Sequence, residues 1–193
     1  MHNDTRNYYL ITPDFESNLS RYLFELENSL KHGIKLVQLR SKNLSLDDYL
    51  TLAHSAVELI HHYNAKVLLN GSIDLLSHTN ADGIHLPSFE AEKYSCRPIS
   101  HEKLLSISCH NKSQLQHAER LSADIAIVCP IFKTPSSPKG IPMGWETFSN
   151  YAHSTHLNVY ALGGLDASHY SKAMERGAYG LAAKRALWNI PLC

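Results

Sequence analysis

Eight short apolar runs recur along the chain, at 8–13, 36–40, 66–70, 84–86, 104–108, 125–128, 159–162 and 180–183. Helical patterning or helix-boundary residues separate each run from the next. Runs of this length bounded by Gly, Pro or Asn suit strands buried on both faces, the environment of a parallel sheet. Strict strand–helix alternation leads to such a sheet because every crossover returns the chain to the same end. Eight units in 193 residues, about 24 residues each, point to a compact (β/α)8 barrel with a short last helix. An open doubly wound sheet is the alternative, and eight strands lie towards its upper range.

The helices are bounded by recognisable signals. Helices are expected over 15–32, stopped by Gly33, and over 46–63, with Ser45 as cap and Asp47 and Asp48 in the first turn. Others are expected over 112–121, over 145–152, and from Asp166 or Ser168 to Arg176, where Gly177 stops the chain. A short helix precedes Asn80, and another, poorly formed, covers 90–96. Three helix-to-strand turns look alike: Asn80-Ala81-Asp82-Gly83, Ser122-Ala123-Asp124-Ile125 and Gly177-Ala178-Tyr179-Gly180. No linker interrupts the pattern, so one domain over 1–193 is expected.

Composition narrows the function classes. The formal net charge is zero, which argues against a nucleic-acid binder relying on a general positive field. No run of about 20 apolar residues exists to span a membrane, and the polar start, MHNDTRN, lacks a signal-peptide core. Cys96, Cys109, Cys129 and Cys193 show no CxxC pairing, so free thiols and a cytoplasmic setting are expected. The thirteen histidines include no HExxH and no zinc spacing. Oligomeric state is open, a homo-oligomer included.

In a (β/α)8 barrel the chemistry sits where strands end and loops begin. The strongest such stretch runs from Asn158 to Trp188. Gly163 and Gly164 close the seventh strand, where a missing Cβ would let a ligand approach the backbone; a plain tight turn is the bland alternative. Lys184 and Arg185 close the eighth, and a helix starting after Arg185 would add its positive end. Together these read as a phosphate cup.

The second strand ends Gln38-Leu39-Arg40-Ser41-Lys42, with Gln38 and Arg40 on one face and Lys42 just beyond. A buried arginine needs an anion, either a substrate phosphate or an internal ion pair closing the barrel top. Asn70 ends the third strand and suits the edge of a heterocycle, or else caps a helix. His110 follows Ser108 and Cys109 at the end of the fifth. It is the candidate acid/base, against a packing or capping role. Cys109 points away from Ser108 and packs. His85 on the fourth strand is as much an interior histidine as a catalytic one, and Asp82 and Gly83 belong to the opposite end. The loop after the sixth strand, 131–143, carries three prolines with Thr134, Ser136 and Ser137. Its hydroxyls and amides suit a phosphate or diphosphate, although such loops are often ordinary.

As an ordered set these strand ends resemble the thiamine phosphate synthase and TenI-type thiazole tautomerase family over nearly the whole chain. The carriers are Tyr9-Leu10-Ile11-Thr12, the QxRxK pattern at Gln38, Arg40 and Lys42, and Leu69-Asn70. They continue through 81–86, Ser108-Cys109-His110, Pro130 to Thr134, and 161–164. The resemblance implies a TIM barrel. It implies either a synthase joining a hydroxymethylpyrimidine diphosphate to a thiazole phosphate, releasing diphosphate with Mg²⁺, or a tautomerase moving a proton on a carboxythiazole phosphate. Gln38, Arg40, Lys42 and Asn70 would meet the pyrimidine and its diphosphate. Ser108, Thr134 and Ser136 match further ligand positions, and Gly164 and the segment after the eighth strand would hold the thiazole phosphate. His110 matches the tautomerase acid/base.

Three departures bear on the metal and the diphosphate. A metal aspartate of the family falls at Gly71, the second at Glu90, and a diphosphate lysine at Ser137. Losing a carboxylate and an ammonium weakens a site for so dense a charge. Arg185 replaces a small hydroxyl residue, and Lys139 is the candidate to replace the missing lysine. A non-catalytic thiazole- or thiamine-phosphate binder is the alternative from another class. The chain is similar also to the synthase-like domain fused behind Nudix hydrolases in some bacteria. No Nudix box is present, so nucleotide cleansing is not implied.

Overall fold

A computed structural model describes residues 6–134 and 140–190 of the chain. Eight parallel strands close on themselves in sequential order, β1 Tyr8–Ile11, β2 Leu36–Leu39, β3 Lys66–Asn70, β4 Gly83–Leu86, β5 Leu104–Cys109, β6 Ile125–Val128, β7 Asn158–Ala161 and β8 Gly180–Ala183. Closure comes from the pairing of β1 with β8, with Tyr9 opposite Ala182. The open doubly wound alternative is thereby excluded.

Alternation along each strand makes two cores. Outward residues such as Leu10, Val37, Leu69, Ile84, Ile107, Val128 and Leu181 pack under the helices in one large apolar layer. Those helices are α1 Leu19–Lys31, α2 Leu46–His62, α3 Ser88–Ala91, α4 Lys112–Arg120, α5 Gly144–Ala152 and α6 Tyr170–Glu175. Inward residues form a second, smaller core of Tyr9, Ile11, Ile125, Ile127, Cys129, Tyr160 and Ala182. That core comes from β1, β6, β7 and β8 together with Cys129 just past β6. The facing side, β2 to β5, sends in Leu36, Leu68 and Leu104 towards the amino end and Gln38, Asn70, His85, Ser106 and Ser108 towards the carboxyl end. Towards its carboxyl end the lumen therefore has an apolar half and a polar half.

Two of the three similar helix-to-strand turns share a latch. Asp82 accepts from the Val67 amide at 2.8 Å, and Asp124 accepts from the Leu105 amide at 2.7 Å. Each carboxylate ties the start of one strand to the turn leading into the next. This confirms that Asp82 works at the amino end of the barrel.

Two boundaries moved. The first helix begins at Leu19 rather than near 15, because Asn18 caps it by accepting from the Arg21 amide. Residues 14–17 remain as loop, with the Phe15 amide bound to Ser41 Oγ. The helix expected over 90–96 is one turn, Ser88–Ala91, entered through Pro87. After β8 there is a single 3-10 turn, Arg185–Leu187, in place of a helix. The positive helix end expected beside Arg185 is thus absent among the described residues.

Candidate functional site

The carboxyl ends of β1, β2 and β8 are drawn together by one carboxylate. Thr12 extends the β1–β2 ladder, its hydroxyl accepting from the Arg40 amide at 3.0 Å. The next residues turn Asp14 over the strand ends. There it accepts from Arg40 Nη1 at 3.0 and 3.1 Å, from Lys184 Nζ at 3.0 Å and from the Lys42 amide at 2.9 Å. Burial raises the Asp14 carboxyl. The Lys42 amide, the Lys184 ammonium and the Arg40 guanidinium outweigh it and hold it at about 2. Of the two anionic partners open to Arg40, the internal pair is the one present. The remaining guanidinium nitrogens make no hydrogen bond among the described residues. Lys42 and Arg185 extend exposed side chains at the same rim.

Below this rim lies the polar half of the lumen. Asn70 Nδ2 donates to Gln38 Oε1 at 3.2 Å, and the Asn70 amide donates to Tyr49 Oη. Tyr49 in turn donates to the Leu39 carbonyl, so a tyrosine of α2 fixes the ends of β2 and β3. Ser72, not Asn70, caps the following 3-10 turn. In the lumen Gln38 Nε2 and Tyr9 Oη lack a partner of good hydrogen-bond geometry, although Tyr9 lies within reach of Ser106 and Gln38; Arg97 Nε is a third such atom, at the amino end. An unpaired buried donor costs on the order of 1–3 kcal/mol, so such atoms call for a water or a ligand group.

His85 bridges two serines, with Nδ1 2.9 Å from Ser106 Oγ and Nε2 2.9 Å from Ser108 Oγ. Burial, with the Arg40 charge adding to it, pushes the ring down to about 3. It is a neutral interior histidine whose work is to orient Ser108. His110 differs: it is exposed, its amide is held by Gln114 Oε1, and its Nδ1 lies 2.9 Å from the Cys129 carbonyl. A carbonyl only accepts, so in the neutral ring Nδ1 carries the proton and Nε2 has the lone pair for acid/base work. Cys129 Sγ is also 3.5 Å from that ring. Burial pushes its thiol up to about 12, so the pair is not a thiolate nucleophile. Cys109 is buried on the outward face and likewise raised to about 12.

The double glycine serves a close backbone approach. A Cβ at Gly163, φ +114°, would fall 2.8 Å from Pro130 Cα and 2.9 Å from the Ile131 nitrogen. The Ile131 amide donates to the Leu162 carbonyl and the Phe132 amide to the Gly163 carbonyl, so the turn after β7 is stitched to the loop after β6. Gly164, φ +69°, is exposed at the rim. Thr134 lies at the edge of that loop; Ser136, Ser137 and Lys139 lie outside the described residues. Glu90, the candidate metal ligand, is bound to Lys93 at 2.7 Å. Among the described residues no three His, Cys, Asp or Glu groups gather as a metal site would need.

The structure thus brings together Arg40, the Lys42 backbone and Lys184 through Asp14, Gln38 with Asn70, and Ser108 with His85. Asp14 escaped the sequence reading. Its only signal is a carboxylate beside Pro13 at the end of β1, whose barrel neighbours β2 and β8 end in basic residues. A separate cleft of ≈ 310 Å³ opens at the amino end, lined by Lys35, Lys66, Asp124 and Tyr160. It contains none of the strand-end groups, and Asp124 there is committed to Arg97.

Among the described residues no helix is long and apolar enough to cross a membrane. A family model described as thiamine monophosphate synthase matches residues 8–187. A putative thiamine-phosphate synthase 2 of Aquifex aeolicus is 33% identical over 174 residues, covering 90% of this chain and 93% of its own. A thiamine-phosphate synthase of Methanobrevibacter smithii is 28% identical, with 97% and 90% covered. Among solved structures, a thiamine phosphate pyrophosphorylase from Pyrococcus furiosus superposes with a TM-score of 0.76. That match is at 20% identity and covers 94% of this chain and 86% of that one, which supports the barrel fold.

Proposed function

The chain belongs to the thiamine monophosphate synthase family, and we propose that it is a thiamine-biosynthesis enzyme acting on a thiazole phosphate held in the cup over β1, β2 and β8. The observation that carries this reading is the convergence of Arg40 and Lys184 on one point, beside the exposed side chains of Lys42 and Arg185. Guanidinium and ammonium groups at a half-buried rim suit a phosphate, the first by its planar fork and the second as a point charge. Gln38 and Asn70 lie beneath it, and the unpaired Gln38 Nε2 offers a donor to a ring nitrogen or carbonyl. Ser108, turned by His85, offers a hydroxyl on the same side of the lumen.

In the synthase-type reaction, a hydroxymethylpyrimidine diphosphate and the thiazole phosphate are joined and diphosphate leaves. Cations at the rim stabilise the charge that gathers on the leaving group. The residues present do not fit a Mg²⁺ centre. Position 71 is glycine, and the Glu90 carboxylate is already paired with Lys93. Stabilisation of the leaving diphosphate is therefore assigned to the outer cations, Lys42 and Arg185, beside the thiazole phosphate held by Arg40 and Lys184.

The His110 geometry favours a second reading, the proton shift of a thiazole tautomerase. Its Nδ1 is anchored on the Cys129 carbonyl, which presents Nε2 as the group that takes and returns a proton. Purified protein is assayed for isomerisation of a carboxythiazole phosphate, with His110→Ala beside it. Under this second reading the variant loses about 10²–10⁴-fold in rate while still binding the phosphate. An unchanged rate removes His110 from the chemistry. Loss of thiazole phosphate binding in Lys184→Ala supports the cup, and full binding in that variant argues against it.

A further inference from the structure

Asp14 stands where an incoming anion would stand. It receives both cations that the phosphate reading assigns to the ligand, Arg40 Nη1 at 3.0 Å and Lys184 Nζ at 3.0 Å. Of the three side chains the carboxylate is the most open, 37% exposed against 22% for Arg40 and 31% for Lys184. A carboxylate that only oriented the two cations from below would be the most buried of the three. This one is not covered by the cations it binds, and solvent reaches it. It is ionised throughout the physiological range, held at about 2 by the groups around it. Its segment, 14–17, is loop rather than the start of α1, so the carboxylate can turn outward without breaking a helix.

We propose that Asp14 is a built-in counter-anion of the cup, which a ligand phosphate must displace from Arg40 and Lys184, and that it thereby determines the cup's selectivity for anions of higher charge. The inference rests on the cup being the ligand site. A tethered carboxylate competes at high effective concentration. A monoanion arriving from solution brings no more charge than Asp14 and fails to displace it. A phosphate dianion brings more, and its several oxygens satisfy both cations at once. The displaced carboxylate retains a donor nearby in the Lys42 amide. Selection against the unphosphorylated ring follows, because that ring offers nothing to exchange for the ion pairs it would have to break.

The test is binding of inorganic phosphate, followed by calorimetry at constant ionic strength, with chloride or a bulky organic anion as the salt. Wild type and Asp14→Asn are compared, with Asp14→Ser as a second variant and thermal melts as the folding check. Removing one unit charge from a half-exposed site is expected to tighten phosphate binding about tenfold. It should also make that binding sensitive to chloride, which wild type resists. Equal or weaker binding by the variants overturns the proposal and makes Asp14 a positioning residue. If no protein binds phosphate, the cup reading itself fails and the proposal with it. Wild type gives an independent readout. Displacement moves the Asp14 carboxyl carbon resonance as phosphate saturates, and a resonance that stays put with phosphate bound contradicts the inference.

Discussion

His85 shows how a residue type can mislead and its surroundings correct it. Both ring nitrogens are engaged by serines, and burial drives the ring down to about 3. In the unfolded chain a histidine titrates near 6.5. Between those values the unfolded state binds a proton that the folded state refuses, so stability falls as the pH falls through that window. The slope from this one residue is ~1.4 kcal/mol per pH unit. Urea unfolding at pH 7 and pH 5 is expected to show a steeper loss in wild type than in His85→Gln. Equal losses would mean that the ring is hydrated and titrates normally. The strand-end residues were legible because barrel geometry says where to look. Their partners were not, since Asp14 sits 26 residues from Arg40 and 170 from Lys184, and no local spacing signals either contact. Gly163 was legible as a glycine requirement, but the sequence does not say whether a ligand or the Pro130 backbone comes close.

At the scale of elements, periodicity and caps carried most of the reading. Strands β3, β6 and β8 fall where their apolar runs lie, and Ser45 caps α2 by accepting from the Asp48 amide. The end of the chain was harder. Among the described residues, the seam between β8 and β1 is covered by the 3-10 turn and a strap laid on α1. Trp188 Nε1 donates to Glu25 Oε2 at 3.0 Å, its ring lies 4.9 Å from that of Tyr22, and the Asn189 amide donates to Ser29 Oγ. These contacts span some 160 residues of sequence and replace the packing that a helix would give. Trp188→Ala is expected to cost ~2–3 kcal/mol, less than for a fully buried tryptophan, and to lower the melting temperature by several degrees. A melting temperature unchanged within a degree would show that the strap does not hold the seam.

Across the whole molecule, the two ends of the barrel divide the labour. The amino end is locked by Asp82 and Asp124, each latching a strand start. The carboxyl end gathers cations, amides and hydroxyls around a lumen that is apolar on one side and polar on the other. An apolar wall for a ring and a polar wall for its edge, topped by cations, is an arrangement fitted to a phosphorylated heterocycle. The central claim is that this cup performs a step of thiamine biosynthesis. The most direct measurement mixes purified protein with hydroxymethylpyrimidine diphosphate, hydroxyethylthiazole phosphate and Mg²⁺, and follows thiamine phosphate against a no-enzyme blank. Sustained product formation that falls at least about a hundredfold in Arg40→Ala is the result expected of a synthase-type cup. No product, with thiazole phosphate bound no better than its unphosphorylated alcohol, would contradict the account.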